Sequence, residues 1–215
     1  MSDIELGFVE QLTGVLYRPR VVFKDMDDGD IYKGLLIMIV MVLLTAYSSM
    51  VYLNKIPLTV LSPQLEGVDT SQLEGTMGIF AGIGSAITVL IGWVASTLLL
   101  HGLGRLSGGS GSMKRFFAMN GFVSIMSALN QVLRIADATI QDAATLSSYY
   151  VTYRDISSKA LKALLGTNLV NIWGLAALVL LVIAIEENYG ASRSRAILIA
   201  LVPSVIVFIF GYFMG

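Results

Sequence analysis

Long apolar runs alternate with short polar connections along the chain. Five of these runs reach the roughly 20 residues of helix that a bilayer core about 30 Å thick requires. They cover residues 34–53, 78–100, 116–135, 168–185 and 196–213. In lipid a spanning segment must satisfy its own backbone hydrogen bonds, as a helix does. The pattern therefore predicts an all-α, polytopic membrane protein, built as a five-transmembrane-helix bundle.

The segment before the first span is amphipathic rather than uniformly apolar. Residues 5–17 carry apolar side chains at helical spacing, namely at Phe8, Leu12, Val15 and Leu16. Pro19 is expected to end this helix, because proline disfavours helical geometry in the residue before it. The helix either lies at the membrane interface, packed under the bundle, or docks a protein partner.

Two polar connections have compositions typical of ligand sites, but their spacing predicts turns. The acidic run Asp25, Asp27, Asp28 and Asp30 lacks the ligand order and closing glutamate of a calcium loop, so it predicts a solvated turn. Residues 108–112, Gly-Gly-Ser-Gly-Ser, lack the Gly-Lys-Ser/Thr that ends a phosphate loop. Residues 54–77 indicate an irregular outer loop. Residues 136–167 indicate a long connection that holds one short surface helix.

Composition agrees with a membrane location and excludes several chemistries. Of 215 residues, 55% are hydrophobic and 13% charged, and the mean hydropathy is +0.76. The sequence has no cysteine and one histidine, which removes thiol chemistry and multi-histidine metal sites. A formal net charge of −1 gives no sign of a basic surface for nucleic acid. We expect no metal, no cofactor, no nucleic-acid partner and no catalytic residues.

Basic residues set the expected orientation, because cytoplasmic loops carry an excess of Lys and Arg. Nine lie on the side of the N-terminus: Arg18, Arg20, Lys24, Lys33, Arg105, Lys114, Arg115, Arg193 and Arg195. Five lie on the other side: Lys55, Arg134, Arg154, Lys159 and Lys162. The sequence thus predicts a multi-pass cell-membrane protein with a cytoplasmic N-terminus and an extracytoplasmic C-terminus. A cytoplasmic amphipathic segment, residues 1–33, precedes a five-span domain, residues 34–215.

The third span carries polar residues along one helical face. They are Asn120, Ser124, Ser127, Gln131 and Arg134, at i, i+4, i+7, i+11 and i+14. Polar side chains avoid lipid, so this face is expected to point into the bundle. It either bonds neighbouring helices together or lines a path for an ion or small solute. Asp137 is the expected partner of Arg134.

The second span contains small residues that predict close helix packing, at Gly78, Gly82 and Gly92. Gly78 and Gly82 have the four-residue spacing of a helix dimer face, which also suggests a homo-oligomer.

A further polar cluster is expected on the cytoplasmic side, where the ends of the second, third and fourth spans meet. Its members are His101, Arg105, Lys114, Arg115, Glu186 and Glu187. The two glutamates are adjacent and point to different faces of a helix, so they do not predict an acid–base pair. We expect them to form ion pairs on this side with Arg105, Lys114, Arg115, Arg193 or Arg195.

Four segments resemble the Yip1 domain family of five-span membrane proteins. They are LYRPRVVF at residues 16–23, HGLGRLSGGSGSMKRFF at 101–117, Trp173-Gly174, and ENYGASRSRAILIALVP at 187–203. The family's usual histidine before the serine of the last segment is replaced here by Ala191. The resemblance implies a bacterial or archaeal member of the family.

Eukaryotic members of that family have a long N-terminal region with an Asp-Leu-Tyr-Gly-Pro-like motif and interact with Rab-type GTPases. Here only 33 residues precede the first span, and Tyr17-Arg18-Pro19 stands where that motif would be. GTPase binding is therefore not expected. The leading hypothesis is a non-enzymatic membrane protein that acts by helix packing and by interaction with lipid or a partner. The alternative is a channel or transporter lined by the polar face of the third span.

Overall fold

The computed structural model describes residues 6–67 and 69–214, and the chain folds into helices without a strand over these ranges. Eleven α-helices lie within them: α1 (Phe8–Tyr17), α2 (Pro19–Asp25), α3 (Ile31–Lys55), α4 (Leu58–Leu61), α5 (Ser71–Leu106), α6 (Met113–Val123), α7 (Ile125–Ile140), α8 (Ala143–Arg154), α9 (Lys159–Gly166), α10 (Ile172–Tyr189) and α11 (Arg193–Met214). Five stretches of the described chain are long and apolar enough to cross a membrane: Asp28–Lys55, Thr76–Leu106, Met113–Ile140, Ile172–Tyr189 and Arg193–Met214. The predicted all-α, five-span architecture is confirmed.

Successive spans run in opposite directions, so the connections collect at two ends of the bundle. The N-terminal end holds α1, α2 and the turns that precede α6 and α11. The far end holds α4, α8, α9 and the end of α11. Within the bundle α3 packs against α5, α6 and α7, while α10 packs against α2, α6, α7 and α11.

The N-terminal segment folds back under the bundle as two helices, α1 and α2. Pro19 begins α2 at its first position, where the missing N–H costs no helical hydrogen bond. Val22 and Phe23 of α2 are fully buried in the main core. The ring of Phe8 in α1 lies edge-on to that of Phe122 in α6, with centroids 6.2 Å apart. The residues that follow Pro19 therefore form a second helix, packed against the spans.

Two glycines bring the backbones of α3 and α6 into direct contact. A Cβ added to Gly34 would lie 2.6 Å from the carbonyl oxygen of Ala118 and 2.7 Å from its Cα. A Cβ added to Gly121 would overlap the backbone of Gly34. Both positions are buried, and only glycine permits this approach between helices. The sequence analysis did not single out this crossing.

The third span is two helices rather than one, with a break at Ser124. The Ser124 amide donates to both Asn120 O at 3.2 Å and Gly121 O at 3.1 Å, and its hydroxyl also donates to Asn120 O at 3.1 Å. Such shared bonds tighten the last turn of α6. The polar face predicted for this span is therefore divided between α6 and α7.

The connections at the far end are more helical than their composition indicates. Residues 54–77 were predicted to be irregular, but they include α4 and the first turns of α5. Residues 136–167 hold α8 and α9 rather than one surface helix, and α9 packs against α11. The fourth span begins at Ile172, because Asn168–Val170 forms a separate 3₁₀ turn.

Candidate functional site

The first polar residues of the third span bond this span to the second. Asn120 Nδ2 donates to Thr97 Oγ1 at 2.6 Å, and Thr97 Oγ1 donates to Trp93 O at 2.6 Å. Asn120, Ser124 and Thr97 are all buried. At this depth the polar face joins α6 to α5, as expected of hydrogen-bonded contacts between membrane helices.

The remaining polar residues of the third span lie progressively closer to the bundle surface. Ser127 and Gln131 are half-buried, and Gln131 Oε1 is buried without a hydrogen-bond partner among the described residues. Arg134 is exposed, and its guanidinium lies over the ring of Tyr52, 5.1 Å from the centroid. The Tyr52 hydroxyl donates a hydrogen bond to Asp137 Oδ2 at 2.6 Å. The expected partnership of Arg134 and Asp137 is not formed as an ion pair within the described chain, and both residues contact Tyr52 instead.

A small cavity of about 150 Å³ opens beside Asn120, between the second, third, fourth and fifth spans. Its polar lining comes from Ser96, Asn120 and Ser204, and most of its other lining residues are aliphatic. Asn120 already donates to Thr97. The geometry is that of a partly polar pocket inside the bundle.

His101 lies at the N-terminal end of the bundle and bonds to the fourth span. Its Nδ1 is 2.7 Å from the hydroxyl of Tyr189. The Tyr189 ring also packs against Phe116, with centroids 5.2 Å apart. His101 is therefore placed beside Tyr189.

The glycine-rich turn wraps around the end of α10. A Cβ added to Gly109 would lie 2.6 Å from the Tyr189 Cβ, and one added to Gly111 would overlap the backbone of Asn188. Asn188 Nδ2 donates to Ser112 O at 3.1 Å. These glycines are thus required for close packing on α10, which agrees with a tight turn rather than a phosphate loop.

The expected cytoplasmic cluster is divided by the fold, and its two glutamates bind an arginine that the sequence analysis did not include. Arg20 of α2 forms ion pairs with both Glu186 and Glu187. Arg193 also binds Glu186, with Nε 3.1 Å from Oε1. In the described chain neither glutamate forms an ion pair with Arg105, Lys114 or Arg115, so that part of the prediction is wrong.

Arg115 instead joins the third span to the N-terminal segment. Its guanidinium donates to the carbonyl oxygen of Phe23 at 2.9 Å and to that of Lys24 at 3.4 Å. These bonds satisfy the last carbonyls of α2, which have no partner inside the helix.

The sequence does contain a signal for this second docked helix. Pro19, with Arg20 next to it, separates α1 from α2, and a proline that ends one helix can begin the next.

The glycines of the second span have different surroundings. A Cβ added to Gly78 would overlap the side chain of Asn54, and one added to Gly82 would lie 3.0 Å from Ala46 O. Both contacts are with α3 of the same chain, so this pair packs inside the protomer. A Cβ added to Gly92 would have no atom within 4 Å, so Gly92 does not pack against another helix of this protomer.

The acidic run before the first span is a capped turn. Asp27 Oδ1 accepts the Gly29 amide at 2.6 Å, and Asp30 pairs with Lys33 at 2.5 Å. No group of three or more His, Cys, Asp or Glu side chains in the described part of the chain is placed to hold a metal ion.

Five membrane-length helices with a docked N-terminal helix pair define a multi-pass integral membrane protein. The family model of the Yip1 domain matches residues 13–214, so the chain belongs to the Yip1 domain family. Comparisons with curated proteins and with solved structures give no match.

Proposed function

We propose that this protein is a non-enzymatic membrane-organising protein that presents its N-terminal helices to lipid or to a partner protein. The surface that acts is the outer face of α1–α2, defined by Val9, Leu16, Tyr17 and Val21. Their exposed fractions are 69%, 48%, 69% and 53%. Val9 and Leu16 are seven residues apart and so share one side of α1. This exposed apolar group is the single observation that carries the proposal.

The chemistry of this surface favours contact with a membrane interface or an apolar partner. Exposed apolar patches on an ordered surface mark sites of association. Arg18 and Lys24 are exposed beside the patch, and basic residues next to apolar ones favour anionic lipid headgroups. The excess of basic residues on this side of the spans supports a cytoplasmic location for the outer face of α1–α2.

The opposite side of the helix pair holds it in place. Val15, Val22 and Phe23 are fully buried, and Arg20 links α2 to the end of α10. A partner therefore meets a preformed surface, which lowers the entropy cost of binding.

Photo-crosslinking in native membranes tests the proposal. A photoreactive residue at Val9 or Leu16 is expected to give adducts with lipid or protein. The matched control is Asp28, which is exposed at the same end but lies in the acidic turn. Adducts of equal yield from Asp28, or none from Val9 and Leu16, would contradict the proposal.

Transport of an ion or small solute is the second candidate. The buried and unpartnered Gln131 Oε1 is the observation that favours it, because such an oxygen can accept from a passing solute. Against it, Asn120 and Ser124 already bond within the bundle. Gln131→Leu removes the polar group with little change of volume, and should abolish flux in liposomes if the path exists. Flux unchanged in this variant would exclude Gln131 from any path.

A further inference from the structure

A groove of about 450 Å³ runs along the outside of the bundle between α10 and α11. Its apolar lining comes from Leu178, Val179, Val182, Ile183 and Ile197. The groove reaches from Glu186 down to Leu178, eight residues or roughly 12 Å along the helix axis. Val179 is 58% exposed, so the groove is open to whatever surrounds the spans.

Among the residues that line the groove, the charged ones all lie at the N-terminal end of the bundle. Arg20, Glu186 and Arg193 form this mouth. The Glu186 side chain is 9% exposed and binds both arginines, which holds their guanidinium groups at the rim. The Arg193 side chain is 71% exposed, so its other N–H groups are open to a ligand.

We propose that this groove binds a membrane glycerophospholipid, with the phosphate on Arg193 and Arg20 and one acyl chain along the apolar lining. The lining belongs to two membrane-length helices, at the depth where lipid chains lie. The two guanidinium groups lie at the end of those helices, at the level of lipid headgroups. Guanidinium groups bind phosphate through paired hydrogen bonds, which a diacylglycerol of the same chains does not accept.

This site goes beyond the proposed function, because its apolar lining belongs to α10 and α11 and none of the residues that define the outer face of α1–α2 lines it. Lipid binding in the groove can be measured on the purified protein without any partner protein. Failure of crosslinking from Val9 would leave lipid binding in the groove unaffected, and the reverse also holds.

Native mass spectrometry of the full chain, stripped of lipid in detergent, provides the test. Phosphatidylglycerol, phosphatidylethanolamine and diacylglycerol with identical chains are titrated separately. Both phospholipids are expected to bind at least about tenfold more tightly than diacylglycerol, since charge-assisted hydrogen bonds to phosphate are lost with the latter. Diacylglycerol binding as tightly as the phospholipids would overturn the proposal.

Two matched pairs of variants locate the site. Arg193→Gln should weaken phospholipid binding by about tenfold or more, whereas Arg195→Gln, exposed in the same helical turn but outside the groove lining, should not. Ile197→Trp fills the groove and should prevent binding, whereas Leu198→Trp, 67% exposed and outside the lining, should not. Equal effects within either pair would show that the lipid binds elsewhere and would refute this site.

Discussion

Replacing Gly34 with Ala tests the backbone contact between α3 and α6. The new Cβ would lie 2.6 Å from the Ala118 carbonyl oxygen and 2.7 Å from its Cα. These distances are roughly 0.8 Å short of ordinary van der Waals contact. Both neighbours are backbone atoms of a helix, so no side chain can rotate to make room. The two helices must therefore separate.

Two opposing effects set the size of the change. Alanine is favoured over glycine inside a helix by about 1 kcal/mol. Forcing an extra methyl group into a packed core costs about 1–3 kcal/mol, and the rigid backbone neighbours place Gly34 at the upper end. The free energy of unfolding should thus fall by about 2 kcal/mol. For a chain of this size the midpoint of thermal unfolding should fall by about 4–8 °C.

Thermal unfolding of the purified protein in detergent, followed by circular dichroism, measures this shift. Gly92→Ala is the matched control, because it lies in a span and its added Cβ meets no atom within 4 Å. The control should leave the midpoint unchanged or raise it, by up to about 1 kcal/mol in stability. A Gly34→Ala midpoint equal to that of Gly92→Ala would refute the close crossing of α3 and α6.

Three further predictions concern the docked segment and one helix cap. Phe23→Ala empties a fully buried site, costs about 3–5 kcal/mol and should speed proteolysis of α1 and α2, whereas Tyr32→Ala, at a side chain 78% exposed, should not. Arg20→Gln removes two ion pairs, and because the Arg20 side chain is 46% exposed the free energy of unfolding should fall by only about 0.2–1 kcal/mol. This variant should show faster hydrogen exchange in α2 at low salt, with a smaller difference at high salt. The Thr145 amide donates to Asp142 at 2.7 Å and holds the pKa of that carboxyl below its ordinary 3.8. The ionised carboxylate therefore keeps the α8 cap intact above pH 3.8, and the cap weakens as the pH falls through the folded-state pKa of Asp142. Asp142→Ala should cause the same loss at neutral pH, measured as faster hydrogen exchange of the Thr145 amide.

The spans could be predicted from sequence because their signal is local. A run such as residues 196–213 has the length and hydropathy of a spanning helix whatever it packs against. The predicted polar face of the third span shows the limit of this reasoning. Helical spacing assumes regular geometry, and the extra bonds at Ser124 break that geometry between α6 and α7. Spacing also did not show that Tyr52 lies beside both Arg134 and Asp137.

The candidate sites were less predictable because they join distant parts of the chain. Arg20 and Glu187 are 167 residues apart, and their pairing depends on α2 folding back against α10. The apolar spacing of residues 5–17 indicated a packed helix, but not which helices would receive it. Gly78, Gly82 and Gly92 lie in the same apolar span and cannot be told apart by sequence, yet of these three only Gly78 and Gly82 pack against another helix of the chain.

The sequence by itself determined the class of protein: five apolar helices, an amphipathic N-terminal helix and a resemblance to the Yip1 domain family. A bilayer demands sufficient length, apolar side chains and internally bonded backbone, and these are properties of each segment alone. Only the tertiary structure decided that Gly34 and Gly121 bring two helix backbones into direct contact, that Arg20 binds the glutamates of α10, and that charged side chains lie at one end of the groove between α10 and α11. Those arrangements depend on which faces meet, because helices in lipid associate through shape and polar contacts that a hydropathy pattern does not specify.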